Sequence, residues 1–77
     1  MTVGDGIDVR FGRALRHYRE AAGLSQMALA HEAGVDRSYV GQVERAEKCP
    51  TLIVAQALAL ALHVPLSEII RAAEEAG

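Results

Sequence analysis

The 77-residue chain is 51% hydrophobic and 23% charged, carries a formal net charge of −2 and contains one cysteine. This length allows one domain with a small core, and a single cysteine excludes an internal disulfide bond. The near-apolar run 52–62 is too short to span a membrane. The N-terminus carries no basic stretch of the kind found in signal peptides. We therefore expect a cytoplasmic protein without a membrane contact.

Helical spacing predicts an all-α fold. Residues 1–7 form a lead-in, and 8–76 form one domain with helices at about 8–22, 26–33, 37–45, 52–63 and 66–75. Asp8 is the expected N-cap of the first helix, and Gly23 ends it. The apolar positions of this first helix recur at helical intervals: Phe11, Ala14, Leu15, Tyr18 and Ala22.

Two short helices joined by a tight turn occupy the middle of the chain. Ser25 is the predicted N-cap of the first, Gly34 ends it, and Asp36 caps the second. Five further positions are expected to face the core: Leu29, Ala30, Ala33, Val40 and Val43. This spacing is typical of a helix-turn-helix.

The fourth predicted helix is apolar almost all round, and Thr51 is its expected N-cap. A helix that is apolar on all faces is buried on all faces. In so small a domain, one face can meet the core while another meets a second subunit. The fifth helix follows Pro65 and is anchored by Ile69 and Ile70.

The segment "QMALAHEAGVDRSYVGQVER" and the following "PTLIVAQALALALHV" resemble the Xre-type helix-turn-helix family, the group of the lambdoid phage repressors and Cro. The matching positions include Gln26, the Ala33–Gly34 turn, Val40 and Val43. The segment "DRSYVGQVER" is particularly similar to the controller proteins of restriction–modification systems. This resemblance implies a compact five-helix, lambda-repressor-like DNA-binding domain. It also implies a homodimeric transcriptional regulator on a palindromic operator in double-stranded DNA. Regulation would come from occupancy of a promoter, either as repression by overlap with RNA polymerase or as activation by contact with it.

The resemblance also implies site residues. Arg37, Ser38 and Gln42 would read bases from the third helix. The family's equivalent of Gln26 contacts a phosphate. The further candidates for phosphate contacts are Tyr39, Arg45, Lys48 and Thr51, although Tyr39 could instead be half-buried packing, Thr51 purely a cap, and Arg45 and Lys48 solvated charges. Arg19 and Glu44 match a partly buried ion pair. The chain is slightly acidic, but residues 10–71 carry a net +2, with eight basic and six acidic residues.

Two features bear on the surface of the domain. Gly41 would lie outward with the base readers, either for a close approach to DNA or as a neutral exposed glycine. The apolar positions of the last two helices predict a dimer interface or, alternatively, a larger local core. These positions are Ile53, Ala57, Leu60, Ile69 and Ile70.

An enzyme is not expected, because the histidines and Cys49 lack the spacing of a metal site or of a nucleophile–base pair. We expect no metal and no cofactor, while a redox role for Cys49 stays open. The alternative to the regulator is an antitoxin or protein-interaction module of the same fold.

Overall fold

The computed structural model describes residues 6–75, which form five helices and no strand. The helices are α1 (Ile7–Ala21), α2 (Gln26–Ala33), α3 (Tyr39–Glu44), α4 (Leu52–Ala61) and α5 (Leu66–Glu75). The predicted all-α, five-helix architecture is confirmed. Most of the predicted lead-in, and residue 76, lie outside the described residues.

Each helix contributes at least one large, fully buried side chain to a common core. These side chains are Leu15, Leu29, Val40, Leu58 and Ile69. Around them α1 packs against α3 and α5, α2 packs against α3 and α4, and α4 packs against α5. Burying an aliphatic side chain of this size contributes about 1.5–3 kcal/mol, so the core depends on all five helices.

The ends of α1 differ from the prediction. Gly6, not Asp8, is the N-cap, because the Gly6 carbonyl already accepts the Arg10 backbone N–H at 3.1 Å. Asp8 lies in the first turn, where a carboxylate favours the positive end of the helix dipole. At the other end Gly23 has φ +74, as a glycine that ends a helix should. Ala22 is the exposed C-cap and lies outside the core stripe.

The start of α3 lies two residues later than predicted. The Asp36 carboxylate accepts the Ser38 backbone N–H at 2.9 Å and the Ser38 hydroxyl at 2.6 Å. The Asp36 carbonyl accepts the Tyr39 N–H at 2.9 Å. These bonds hold residues 37 and 38 in a turn, so the regular helix begins at Tyr39. Arg37 therefore lies on the turn rather than on the helix.

The fourth helix is not buried on every face. Its N-cap Thr51 accepts the Val54 N–H as predicted, at 3.2 Å, and α4 buries Ala55, Leu58 and Ala59. Leu52 and Ile53 are nevertheless 79% and 82% exposed. The helix ends before the predicted residue 63, because His63 adopts a left-handed φ of +60. One long side of α4 is packed, and the other carries uncovered apolar side chains.

Candidate nucleic-acid interface

The helix-turn-helix unit is built by local bonds and by a buried inner side. Ser25 caps α2 by accepting the Ala28 N–H at 3.0 Å, and Gly34 ends it with φ +73. Both features are as predicted. Leu29 of α2 and Val40 of α3 both lie in the core, where these two helices pack against each other. The outer side of the turn and of α3 is thereby left free for contact with another molecule.

The predicted base readers lie near one another at the start of α3. Arg37 and Ser38 are exposed in the turn, and Gln42 is half-buried one turn further along. The Ser38 hydroxyl already donates to Asp36, so its remaining capacity is to accept. The bonds from Ser38, the hydroxyl first, hold the pKa of the Asp36 carboxyl below its ordinary 3.8. An ionised carboxylate therefore stands beside Arg37, a feature that the sequence reasoning did not foresee.

Tyr39 is half-buried and packs against the hydrophobic core. Burial raises the pKa of its hydroxyl above the ordinary value of 10.0. Of the two interpretations left open for this residue, packing describes its position in the free protein. A phosphate contact stays a prediction.

Arg19, Glu44 and Gln26 form one hydrogen-bonded network that joins α1, α2 and α3. Arg19 Nε and Nη2 donate to the two Glu44 carboxylate oxygens at 2.6 and 3.1 Å, and Nη1 donates to the Leu24 carbonyl at 2.8 Å. Gln26 Nε2 donates to Glu44 Oε1 at 2.9 Å. The hydrogen bonds to Glu44 raise the pKa of the Arg19 guanidinium. With 4% of its side chain exposed, Glu44 is compensated internally and adds little negative charge to the surface.

Gly41 does not lie outward, and that prediction was wrong. It is one of three buried residues of the six-residue helix α3. A Cβ atom on Gly41 would lie 2.9 Å from Arg45 Nη1 and 3.0 Å from Gln26 Oε1. These two side chains cover the glycine, so its backbone is not itself a contact surface.

The other predicted phosphate contacts surround this region. Arg45 and Lys48 are exposed at the end of α3, and Arg45 Nε donates to Glu47 Oε2 at 2.8 Å. This bond lowers the pKa of the Glu47 carboxyl. A phosphate bound by Arg45 Nε and Nη2 would therefore have to replace the Glu47 carboxylate. Thr51 uses its hydroxyl oxygen to cap α4.

The predicted dimer surface is only partly exposed. Ile53 and Leu60 are 82% and 67% exposed on α4, with the half-buried Ala57 between them. Ile69 is fully buried in the core, so its assignment to the interface was wrong. Ile70 is half-buried and lines a different groove, together with Ile7, Phe11, Leu52, Ala55 and Cys49. Consecutive residues on a helix point about 100° apart, which places the neighbouring isoleucines of α5 in different environments.

Across residues 6–75, no three His, Cys, Asp or Glu side chains cluster in a way that could hold a metal ion. In the same range no single helix is long and apolar enough to cross a membrane. Taken together, α4 and α5 are long and apolar enough, but the chain bends by 104° at the break between them.

Comparison with known proteins agrees with this geometry. The sequence model of the helix-turn-helix family HTH_3 matches residues 15–69. Control protein C.SmaI from Serratia marcescens is 39% identical over 56 residues, which cover 73% of this chain and 67% of that protein. The HTH-type transcriptional regulator SutR from Escherichia coli is 38% identical over 56 residues. The matched part is 73% of this chain but 32% of SutR, so this chain spans about a third of that regulator.

The crystal structure of the restriction-modification controller protein C.AhdI from Aeromonas hydrophila superposes with a TM-score of 0.77 at 48% sequence identity. The match covers 79% of this chain and 92% of that one.

Proposed function

This chain belongs to the helix-turn-helix family, and from that premise we propose that it is a sequence-specific DNA-binding regulator of transcription. It acts as a homodimer on a palindromic operator, in the manner of a restriction–modification controller protein. The observation that carries this proposal is the arrangement at α3. Val40 and Val43 are buried, while Arg37, Ser38 and Gln42 remain accessible at its beginning and along its outer side.

Arg37 is the proposed principal base reader. Its side chain is exposed in the turn before α3, at the end of the unit that enters a major groove about 12 Å wide. A guanidinium at this place can donate two bonds to guanine O6 and N7. Ser38 and Gln42 are the proposed secondary readers. The proposed phosphate contacts are Gln26, Tyr39, Arg45, Lys48 and Thr51.

The proposed dimer contact is the exposed side of α4, formed by Ile53, Ala57 and Leu60. Uncovered aliphatic side chains of this size mark interaction sites in small soluble domains. A two-fold contact through one helix places two copies of α3 at related positions, and operator half-sites lie roughly 34–36 Å apart. Ile70 belongs to this contact only if the dimer interface extends around the N-terminal end of α4, towards Leu52.

Selection from a random pool of duplex DNA at several salt concentrations tests the DNA-binding proposal. We expect a palindrome to be enriched. Arg37→Ala should then relax the preference at one base pair per half-site by about 1–3 kcal/mol. Arg16→Ala is the matched control, because Arg16 is an exposed arginine on α1 that pairs with Glu20 at 3.1 Å. If no palindrome is enriched at any salt concentration, the proposal is wrong.

Sedimentation equilibrium tests the dimer separately. Ile53→Glu and Leu60→Glu place charges on side chains that are exposed in the monomer, so each variant should fold yet sediment as a monomer. Met27→Glu is the control, since Met27 is 60% exposed on α2 and should leave the dimer intact. Dimers that survive both α4 substitutions would place the interface elsewhere.

A second candidate function follows from the same exposed apolar side chains. A domain of this fold can be an antitoxin or adaptor whose fourth helix binds a different protein. Gel filtration of the pure protein separates the two candidates. A stable dimer supports the regulator, whereas an aggregating monomer supports a missing partner. A contact with RNA polymerase would be an additional activity of the regulator, tested by transcription from a promoter that carries the selected operator.

A further inference from the structure

We propose that Gly41 is a positioning residue for DNA binding. Because Gly41 has no side chain, the Gln26 carboxamide and the Arg45 guanidinium can lie against its Cα atom, and we call this space the seat. The seat determines the positions from which both groups would contact the phosphate backbone. The inference rests on the proposed function, since it concerns two proposed phosphate contacts. It replaces the idea that the glycine allows the α3 backbone to approach DNA.

The seat is defined by two side chains that come from different helices. Gln26 is the first residue of α2, and Arg45 is the C-cap of α3. Their Oε1 and Nη1 atoms lie 3.0 and 2.9 Å from the place of a Cβ atom on Gly41, and Gln26 Cδ lies 3.4 Å from it. The first two distances are shorter than an ordinary van der Waals contact. An alanine would therefore displace the Arg45 guanidinium and also shift the Gln26 carboxamide by a few tenths of an ångström.

The orientation of the Gln26 carboxamide follows from the charge of its partner. An ionised carboxylate only accepts hydrogen bonds, so the NH₂ group of Gln26 must face Glu44. Arg19 holds that carboxylate with two further bonds, which leaves it little freedom to turn. The carboxamide oxygen consequently lies over Gly41, and the second N–H of the NH₂ group remains to donate to a phosphate.

Glycine is otherwise a poor choice inside α3. It lowers helix stability relative to alanine, and a six-residue helix has few bonds to spare. The three atoms nearest to the place of a Cβ atom on Gly41 belong to the ends of side chains rather than to backbone. The Gly41→Ala protein should therefore fold, with Gln26 and Arg45 moved from their places.

A set of alanine variants tests this in equilibrium binding to the selected operator. Gly41→Ala should weaken binding about tenfold, the effect of losing a hydrogen bond to a charged group. In a protein that already carries Gln26→Ala and Arg45→Ala, adding Gly41→Ala should change the affinity less than about twofold, because the side chains that the methyl group would displace are already absent. The three substitutions are then non-additive. An equal loss in both backgrounds, or no loss in the first, would overturn the inference.

Nuclear magnetic resonance gives a readout that is independent of DNA. The chain has three glutamines and no asparagine, so its spectrum contains three side-chain NH₂ pairs. Gly41→Ala should shift the Gln26 pair, which Gln26→Ala identifies, and leave that of the exposed Gln56 in place. An unmoved Gln26 pair in a folded Gly41→Ala protein would overturn the seat.

The two proposals fail in different ways. If the wild type selects no DNA, the proposed function fails while the NH₂ shift still tests the seat. If the wild type binds and the variants are additive, only the positioning role fails. Should Gly41→Ala alone not fold, Gly41→Ala with Gln26→Ala removes the carboxamide that the methyl group meets. Recovery of the fold in that double variant supports the seat, and failure to recover counts against it.

Discussion

Gly12→Ala is expected to destabilise the domain through a backbone clash. Gly12 is buried in α1, and a Cβ atom there would lie 2.5 Å from the Val43 carbonyl oxygen and 2.9 Å from that of Glu44. The Val43 oxygen also accepts the Ala46 N–H at 3.0 Å, so it cannot move freely. To reach the ~3.3 Å of a weak C–H···O contact, α1 and the end of α3 must separate by roughly 0.8 Å.

The size of the effect follows from two opposing contributions. Overpacking of this kind costs about 1–3 kcal/mol, and the rigid backbone on the other side places Gly12→Ala at the upper end. Alanine returns about 1 kcal/mol through its better helix propensity. We therefore expect a net loss of about 2 kcal/mol. That is a large fraction of the roughly 4–12 kcal/mol that a domain of this size has.

Urea unfolding followed by circular dichroism at fixed protein concentration measures this loss. The midpoint should fall by about 0.7–2 M with little change in slope. Gly41→Ala is the matched control, because its methyl group meets side-chain ends instead of backbone, and its midpoint should fall by less than that of Gly12→Ala. A Gly12→Ala protein as stable as the wild type would refute the reasoning from backbone contact.

Three further predictions concern the Arg19–Glu44 ion pair, the backbone at His63 and the carboxyl group of Asp36. Arg19→Met strands the buried Glu44 carboxylate and should cost about 3–5 kcal/mol in urea unfolding, of which the double variant with Glu44→Met should recover the larger part; equal losses would contradict this. His63→Gly should raise the free energy of unfolding by about 1 kcal/mol, because a left-handed φ of +60 strains histidine but not glycine; an unchanged midpoint would show that no strain is present. The depressed pKa of Asp36 means that its contribution is complete above the ordinary 3.8 and is lost as pH falls through the lower, folded-state value. Ser38→Ala should raise that pKa in a carboxyl titration by nuclear magnetic resonance, and an unmoved titration would assign the shift to another cause.

The sequence alone determined the features that depend on neighbours within a few residues. Helical spacing gives five helices, and short-range bonds explain why Ser25 and Thr51 begin helices. The preference of glycine for a left-handed φ explains why Gly23 and Gly34 end them. The buried pattern around Leu29 and Val40 is readable for the same reason, because a helix repeats every 3.6 residues. The family resemblance rests on this same local spacing.

The tertiary structure decided the features that depend on residues far apart in the chain. Gln26 and Glu44 are 18 residues apart, and only the packing of α2 against α3 places the carboxamide over Gly41. Composition could not separate Ile69 from Ile70 either, since both are isoleucines on one helix. The environment of each depends on how α5 lies against its neighbours. Helix periodicity predicts that a helix has an apolar face, but only the packing of the five helices decides whether that face is buried in the core.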